Sequence, residues 1–182
     1  MKITFLTAIV AGFIFVSCQP PCEEKYFTES PEIDLGKKLV DAYLIQNWDA
    51  YSELYADTAK IWVNANWTNT PGFTVAEYVE SLKQGLEPAS DYRMEPQDWE
   101  MTINENGEHW VHFWTVWIGN VEATGKEYQV PVHSVMMVTD NKIVYQGDIF
   151  NQAELALDMM ALAAEADDDE DDDDEEEGDA DD

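Results

Sequence analysis

Basic residues are scarce in this 182-residue chain, where 9 lysines and arginines stand against 39 aspartates and glutamates for a formal charge of −30. Such a surface repels polyphosphate, which disfavours nucleic acid as a partner. Cysteine is nearly absent: Cys18 and Cys22 are the whole supply, and both precede the folded region. No disulfide can therefore staple the fold, and metal binding by thiolates is excluded from it. The chain also lacks a glycine-rich phosphate loop, a helical histidine pair, a nucleophile elbow and internal repeats, so neither a metal nor an organic cofactor is signalled.

The two ends are distinctive. Met1-Lys2, the apolar run Ile3 to Val16 and Ser17-Cys18 have the layout of an export signal. The run falls short of the roughly 20 apolar residues that span a bilayer. Phe15-Val16-Ser17-Cys18 resembles a bacterial lipobox, which implies that residues 1–17 are removed and Cys18 is lipid-modified. An ordinary signal peptide is the alternative. The polar, proline-containing stretch 18–31 then reads as a tether. From Glu165 onward 15 of 18 residues are acidic, a composition that predicts a disordered tail over 165–182. Solubility accounts for such a tail; loose binding of divalent cations or of a basic partner is the sharper alternative.

Residues 32–164 have the size of one domain. Leu35, Leu39, Val40, Tyr43 and Leu44 share a helical face, with Asp34 as candidate N-cap. A short helix is predicted over 49–56, then a strand over 59–64. Thr74 and Glu77 form a capping box and Phe73 and Tyr78 a hydrophobic staple, opening a helix that runs to about Leu86. After it the period changes to two: strands are predicted over 98–103, 109–121, 128–139 and 142–150, followed by a helix over 152–164. Helices first and a meander afterwards give an α+β domain with helices covering one face of a curved antiparallel sheet.

Hairpin arithmetic places the chemistry. Around a two-residue turn at Asp140-Asn141, His133 falls opposite Asp148. Around Ala123-Thr124, His112 falls opposite Val135, and around Glu122-Ala123 it falls opposite His133. Cross-strand partners lie about 4.5–5.5 Å apart at Cβ, close enough for an aspartate to orient an imidazole. The expected face carries Asp148, His133 and His112 with Trp114, Val135 and Phe150. Tyr55, Trp62 and Asn64 are further candidates for lining a ligand cavity. Trp117, Val132, Ser134, Met136 and Tyr145 fall on the opposite face, which is too apolar for water and is the expected dimer interface.

The order of elements, Trp48-Asp49 at the second helix, the central Trp114 and the run Asn141 to Asn151 resemble the SnoaL-like branch of the nuclear transport factor 2-like superfamily, here as a bacterial lipoprotein of the Bacteroidetes type. The resemblance implies a cone-shaped domain with a deep apolar cavity, frequently dimeric through the outer face of its sheet. It matches Asp148 to the catalytic base of polyketide cyclases and His133 to the histidine on the preceding strand, whereas Gly147 stands where those proteins carry tryptophan. The fold hosts isomerases and dehydratases alongside members without catalysis.

Three functions follow as expectations. The first is a membrane-anchored cell-envelope lipoprotein whose cavity binds a small apolar or aromatic molecule. The second is a cofactor-free isomerase, dehydratase or cyclase in which Asp148 abstracts a proton and His133 or His112 holds the enolate oxygen. The third is an interaction module whose cavity is filled by its own side chains. An Asp–His pair buried for stability alone is the plain alternative to catalysis.

Overall fold

The structure, a computed structural model, describes residues 24–65 and 67–175, the last eleven as backbone only. The export signal, Cys18 and Cys22 lie outside the described residues. A short strand β1 (Tyr26–Phe27) precedes helices α1 (Pro31–Leu44) and α2 (Trp48–Glu53), strand β2 (Tyr55–Val63) and helix α3 (Val75–Leu86). The meander β3 (Ala89–Ile103), β4 (His109–Val121), β5 (Lys126–Thr139) and β6 (Lys142–Phe150) follows, and α4 (Ala153–Glu175) closes the chain.

The sheet runs β1-β3-β4-β5-β6-β2. It is antiparallel apart from β2, which joins β6 in parallel, so the curled sheet is mixed where the sequence suggested an antiparallel one. The layered α+β cone is otherwise as expected. Helices α1 to α3 cover the concave face, and Ile33, Leu39, Val40, Ile61, Val111, Phe113, Met136 and Ile143 fill the space between them.

Local signals account for most boundaries. The capping box forms: Thr74 N–H donates to Glu77 Oε2 at 2.7 Å and Glu77 N–H to Thr74 Oγ1 at 3.3 Å. The staple rings Phe73 and Tyr78 sit 6.5 Å apart. At α1 the cap is Ser30, whose hydroxyl accepts from Ile33 N–H at 3.1 Å, not Asp34. The Ser30-Pro31 pair satisfies the first turn one turn earlier, leaving Asp34 inside it, where its charge suits the helix dipole. Residues 54–56, expected as helix, belong to the approach and start of β2, because the Leu54 carbonyl accepts from Ile143 N–H at 3.0 Å. Strand β3 begins nine residues before its expected start, and two register shifts interrupt its pairing with β4, which hides the period-two pattern. Part of the expected tether pairs as β1 with Thr102 and Met101. Helix α4 continues past Ala164 to Glu175, since a run rich in alanine, leucine and methionine nucleates a helix that acidic residues can extend.

One close approach fixes how α1 meets the sheet. Trp99 stacks on Phe113 with centroids 4.1 Å apart, and a Cβ at Gly36 would stand 2.6 Å from Trp99 Cζ3. Glycine is required there for lack of room.

Candidate functional site

The β5–β6 turn is the predicted one. Asp140 and Asn141 are both left-handed, at φ 50° and 59°, as a two-residue hairpin turn demands. Thr139 pairs with Lys142 and Val138 with Ile143, but Met137 pairs with Tyr145. Strand β6 thus carries one extra residue at Val144, a bulge that reverses the face of everything beyond it. His133 lies opposite Ile149, while Asp148 lies opposite Ser134. The expected His133–Asp148 pair does not form; the two side chains occupy opposite faces.

The β4–β5 register has no such shift, and His112 pairs with Val135, the first of the two expected alternatives. His112, Trp114, His133 and Val135 therefore share the outer face, away from the helices, and do not line the cavity. Their rings lie nearly parallel: Trp114 and His133 are 4.6 Å apart at 6°, and His112 and His133 are 5.7 Å apart at 10°. Burial lowers the proton affinity of both imidazoles, and for His133 the neighbouring His112 adds to the effect. Trp62 also belongs outside, stacked on Tyr145 at 4.9 Å with its Nε1 donating to the Thr70 carbonyl at 3.0 Å. The bulge moves Tyr145 to this face as well. Asn64 takes a left-handed turn and fastens β2 to β6: its N–H donates to the Asp148 carbonyl at 2.8 Å, and its Oδ1 accepts from Phe150 N–H at 2.9 Å.

The inner face holds the side chains expected outside. Trp117, Val132, Ser134 and Met136 line a cavity of about 470 Å³ between the sheet and α1, α3 and α4, together with Phe150 as expected and Asp148. Trp117 can lie flat there because Gly119, two residues on, has no side chain: a Cβ would meet the indole at 2.4 Å.

Asp148 forms the polar floor. It is 4% exposed, and four contacts surround its carboxylate. Oδ1 accepts from the Ser134 hydroxyl and from Gln146 Nε2 at 3.1 Å. Oδ2 accepts from the Tyr78 hydroxyl at 2.5 Å and from Gln146 Nε2 at 2.8 Å. Gln146 is held in turn by Tyr55, whose hydroxyl donates to Oε1 at 2.5 Å. A phenol has one proton and Oε1 only accepts, so Tyr51, 3.0 Å from the Tyr55 hydroxyl, is the donor in that second contact. Tyr55, expected to line the cavity, instead lies beneath its floor as the support of Gln146.

Two opposing effects set the acidity of Asp148. Burial raises its proton affinity, and the hydrogen bonds from Ser134, Tyr78 and Gln146 lower it; burial prevails and the net shift is upward. The phenols of Tyr51 and Tyr78 are pushed up by their own burial first and by the Asp148 charge second. Among the described residues no three histidine, cysteine, aspartate or glutamate side chains come together as a metal site.

The sequence points to Asp148, which lines the cavity, but not to the residues that hold it. Tyr78 reads in the sequence only as half of a staple, and the bulge brings Ser134 to the same face as Asp148, against the turn arithmetic. Gln146 was open to discovery, since two polar residues at i and i+2 in an otherwise apolar strand must share a face.

Solved structures share this architecture. A candidate polyketide cyclase from Xanthomonas campestris pv. campestris is 19% identical with a TM-score of 0.55, over 69% of this chain and 93% of that one. A nuclear transport factor 2-like protein from Burkholderia xenovorans is 12% identical with a TM-score of 0.54, over 71% and 97%. PrhC from Penicillium brasilianum is 13% identical with a TM-score of 0.59, over 77% and 93%. No curated protein matches the sequence. These likenesses are of fold, that of nuclear transport factor 2-like proteins; residues 37–146 match the SnoaL-like domain, and the chain accordingly belongs to the SnoaL-like family.

Proposed function

We propose that this SnoaL-like domain is a binding protein of the cell envelope, anchored through lipid on Cys18, that takes a small, largely apolar molecule into its cavity. The observation that carries the reading is the cavity itself. Its volume of about 470 Å³ falls within the roughly 300–1,000 Å³ of ligand pockets, and Asp148, the one carboxylic acid among its described lining residues, is already fully hydrogen-bonded by the protein. This speaks against an interaction module with a self-filled cavity. The test is native mass spectrometry of the protein purified from its host, before and after denaturing extraction. A retained small molecule supports the reading, and an empty cavity that also fails to take up apolar probes refutes it. The anchor has a separate test: Cys18→Ala releases a lipoprotein from the membrane fraction and leaves any other membrane attachment unchanged.

A second reading, a cofactor-free isomerase, dehydratase or cyclase, draws on the 2.5 Å contact between Tyr78 and Asp148. Here Tyr78, not His133, would stabilise an enolate oxygen while Asp148 takes the proton. It requires one donor to leave the carboxylate first, and Asp148→Asn then abolishes turnover while ligand still binds.

We also propose homodimerisation through the outer sheet face, where Trp110 meets Tyr145 edge-on at 5.4 Å beside Trp62 and Trp114. Sedimentation of wild type against Trp114→Glu tests it: loss of dimer in the variant supports the face, and an unchanged dimer places the interface elsewhere.

A further inference from the structure

We infer that the ligand of this cavity carries a methylated ammonium group, tertiary or quaternary, on a flat apolar body. The inference rests on the cavity-binding reading above and adds the chemical class.

Three observations combine. Among the described residues Asp148 is the one carboxylic acid of the lining, and no lysine, arginine or histidine lines the cavity with it. Its hydrogen bonds come from neutral donors, which orient around a negative charge without cancelling it. The Tyr43, Tyr51 and Tyr78 phenols are pushed up chiefly by their own burial, with the Asp148 charge adding to the shift.

The walls suit a cation. Tyr43, Tyr51, Tyr78, Phe113 and Trp117 line the cavity, and aromatic faces attract cations within about 6 Å of the ring. Ligands bearing a carboxylate or phosphate meet the opposite situation, a buried acid with no counter-charge. The formal charge of −30 also favours the approach of cations and opposes that of anions.

Hydrogen-bonding capacity selects among cations. Each carboxylate oxygen of Asp148 already accepts two contacts, and a carboxylate offers about four acceptor positions in all. A primary ammonium brings three N–H donors and finds no free acceptor on Asp148, so it is left with unsatisfied donors in an apolar site. A methylated ammonium has one N–H or none and needs the field but not the lone pairs.

The test compares three probes on the purified protein: phenyltrimethylammonium, its neutral isostere tert-butylbenzene, and benzylammonium. Binding is read on the methyl resonances of Met94 and Met136, which line the cavity and so report its occupancy directly. Phenyltrimethylammonium should bind about tenfold or more tighter than either other probe. Asp148→Asn should erase its advantage over the neutral isostere, and Ser134→Ala, which frees one acceptor position, should narrow its advantage over benzylammonium. Equal or tighter binding of tert-butylbenzene overturns the charge assignment while leaving a binding cavity in place. Equal or tighter binding of benzylammonium overturns the preference for a methylated head. If none of the three perturbs Met94 or Met136, the cavity-binding reading fails and this inference with it.

Discussion

The Tyr78 hydroxyl donates to Asp148 Oδ2 across 2.5 Å, joining the first turns of α3 to the last strand of the sheet. Among the described residues it is the one polar tie between the helical layer and the carboxylate at the cavity floor. Removing it in Tyr78→Phe leaves the ring packing in place and deletes a buried donor to a charged acceptor. We expect a loss of about 1–3 kcal/mol in urea unfolding. The Asp148 carboxyl should move further up, since this hydrogen bond is among the effects holding it down. A ¹³C titration of the carboxyl carbons reads the second effect separately; a downward move would mean that Tyr78 does not donate to Asp148.

Asp148 also shapes the pH dependence of stability. Its proton affinity is raised in the folded state, so between its unfolded value, near 3.9, and its folded value the native protein holds more protons than the unfolded one. The stabilisation it confers is present below the unfolded value and is lost as pH rises through the folded one. The other carboxylates cancel in the difference between wild type and Asp148→Asn. That difference should drift against the wild type as pH rises through this window. A flat difference would show that the hydrogen bonds fully offset burial.

The outer-face histidines titrate with the opposite sign. His112 and His133 are held below their ordinary value, chiefly by burial, so the fold favours their neutral forms. Stability should fall as pH drops through the unfolded value near 6.5 and towards the folded ones. Relative to a His112→Phe/His133→Phe variant, the wild type should lose melting temperature on acidification in that range. Neither substitution should change uptake of a cavity ligand, because both rings lie on the far side of the sheet. A large effect on uptake would contradict the face assignment.

Gly36→Ala is expected to be costly for a single methyl group. The added Cβ lands 2.6 Å from Trp99 Cζ3, and Trp99 cannot retreat freely because Phe113 is stacked on it at 4.1 Å. Helix propensity favours alanine by up to about 1 kcal/mol, and overpacking opposes it by about 1–3 kcal/mol. The overpacking should win, giving a lower midpoint in denaturant. A more stable variant would show that α1 can shift away from the sheet.

The architecture was legible because its signals are local. The Thr74–Glu77 box, the Asp140-Asn141 turn and the bounds of β4 and β6 follow from residues within a few positions of one another. The site was half legible. Asp148 stood out as an acid in an apolar strand, but its face depended on a bulge at Val144, where neither glycine nor proline marks the irregularity. That single residue carried His133 away from Asp148 and placed Ser134 beside it. The remaining partners, Tyr78 and the Tyr55 that props Gln146, come from α3 and β2, and their convergence on β6 is a tertiary fact that no spacing along the chain announces.

The bulge at Val144 bears on how relatives of this domain are to be compared. Two chains that fold alike but differ by one residue between Ile143 and Gln146 carry their cavity acid one alignment column apart, with an outward-facing residue standing in its place. An ungapped alignment of this strand would pair Asp148 with a side chain on the other side of the sheet and count a retained acid as lost. Functional residues of the last strand are therefore transferable between such proteins by cross-strand partner, here Ser134, and not by position along the chain.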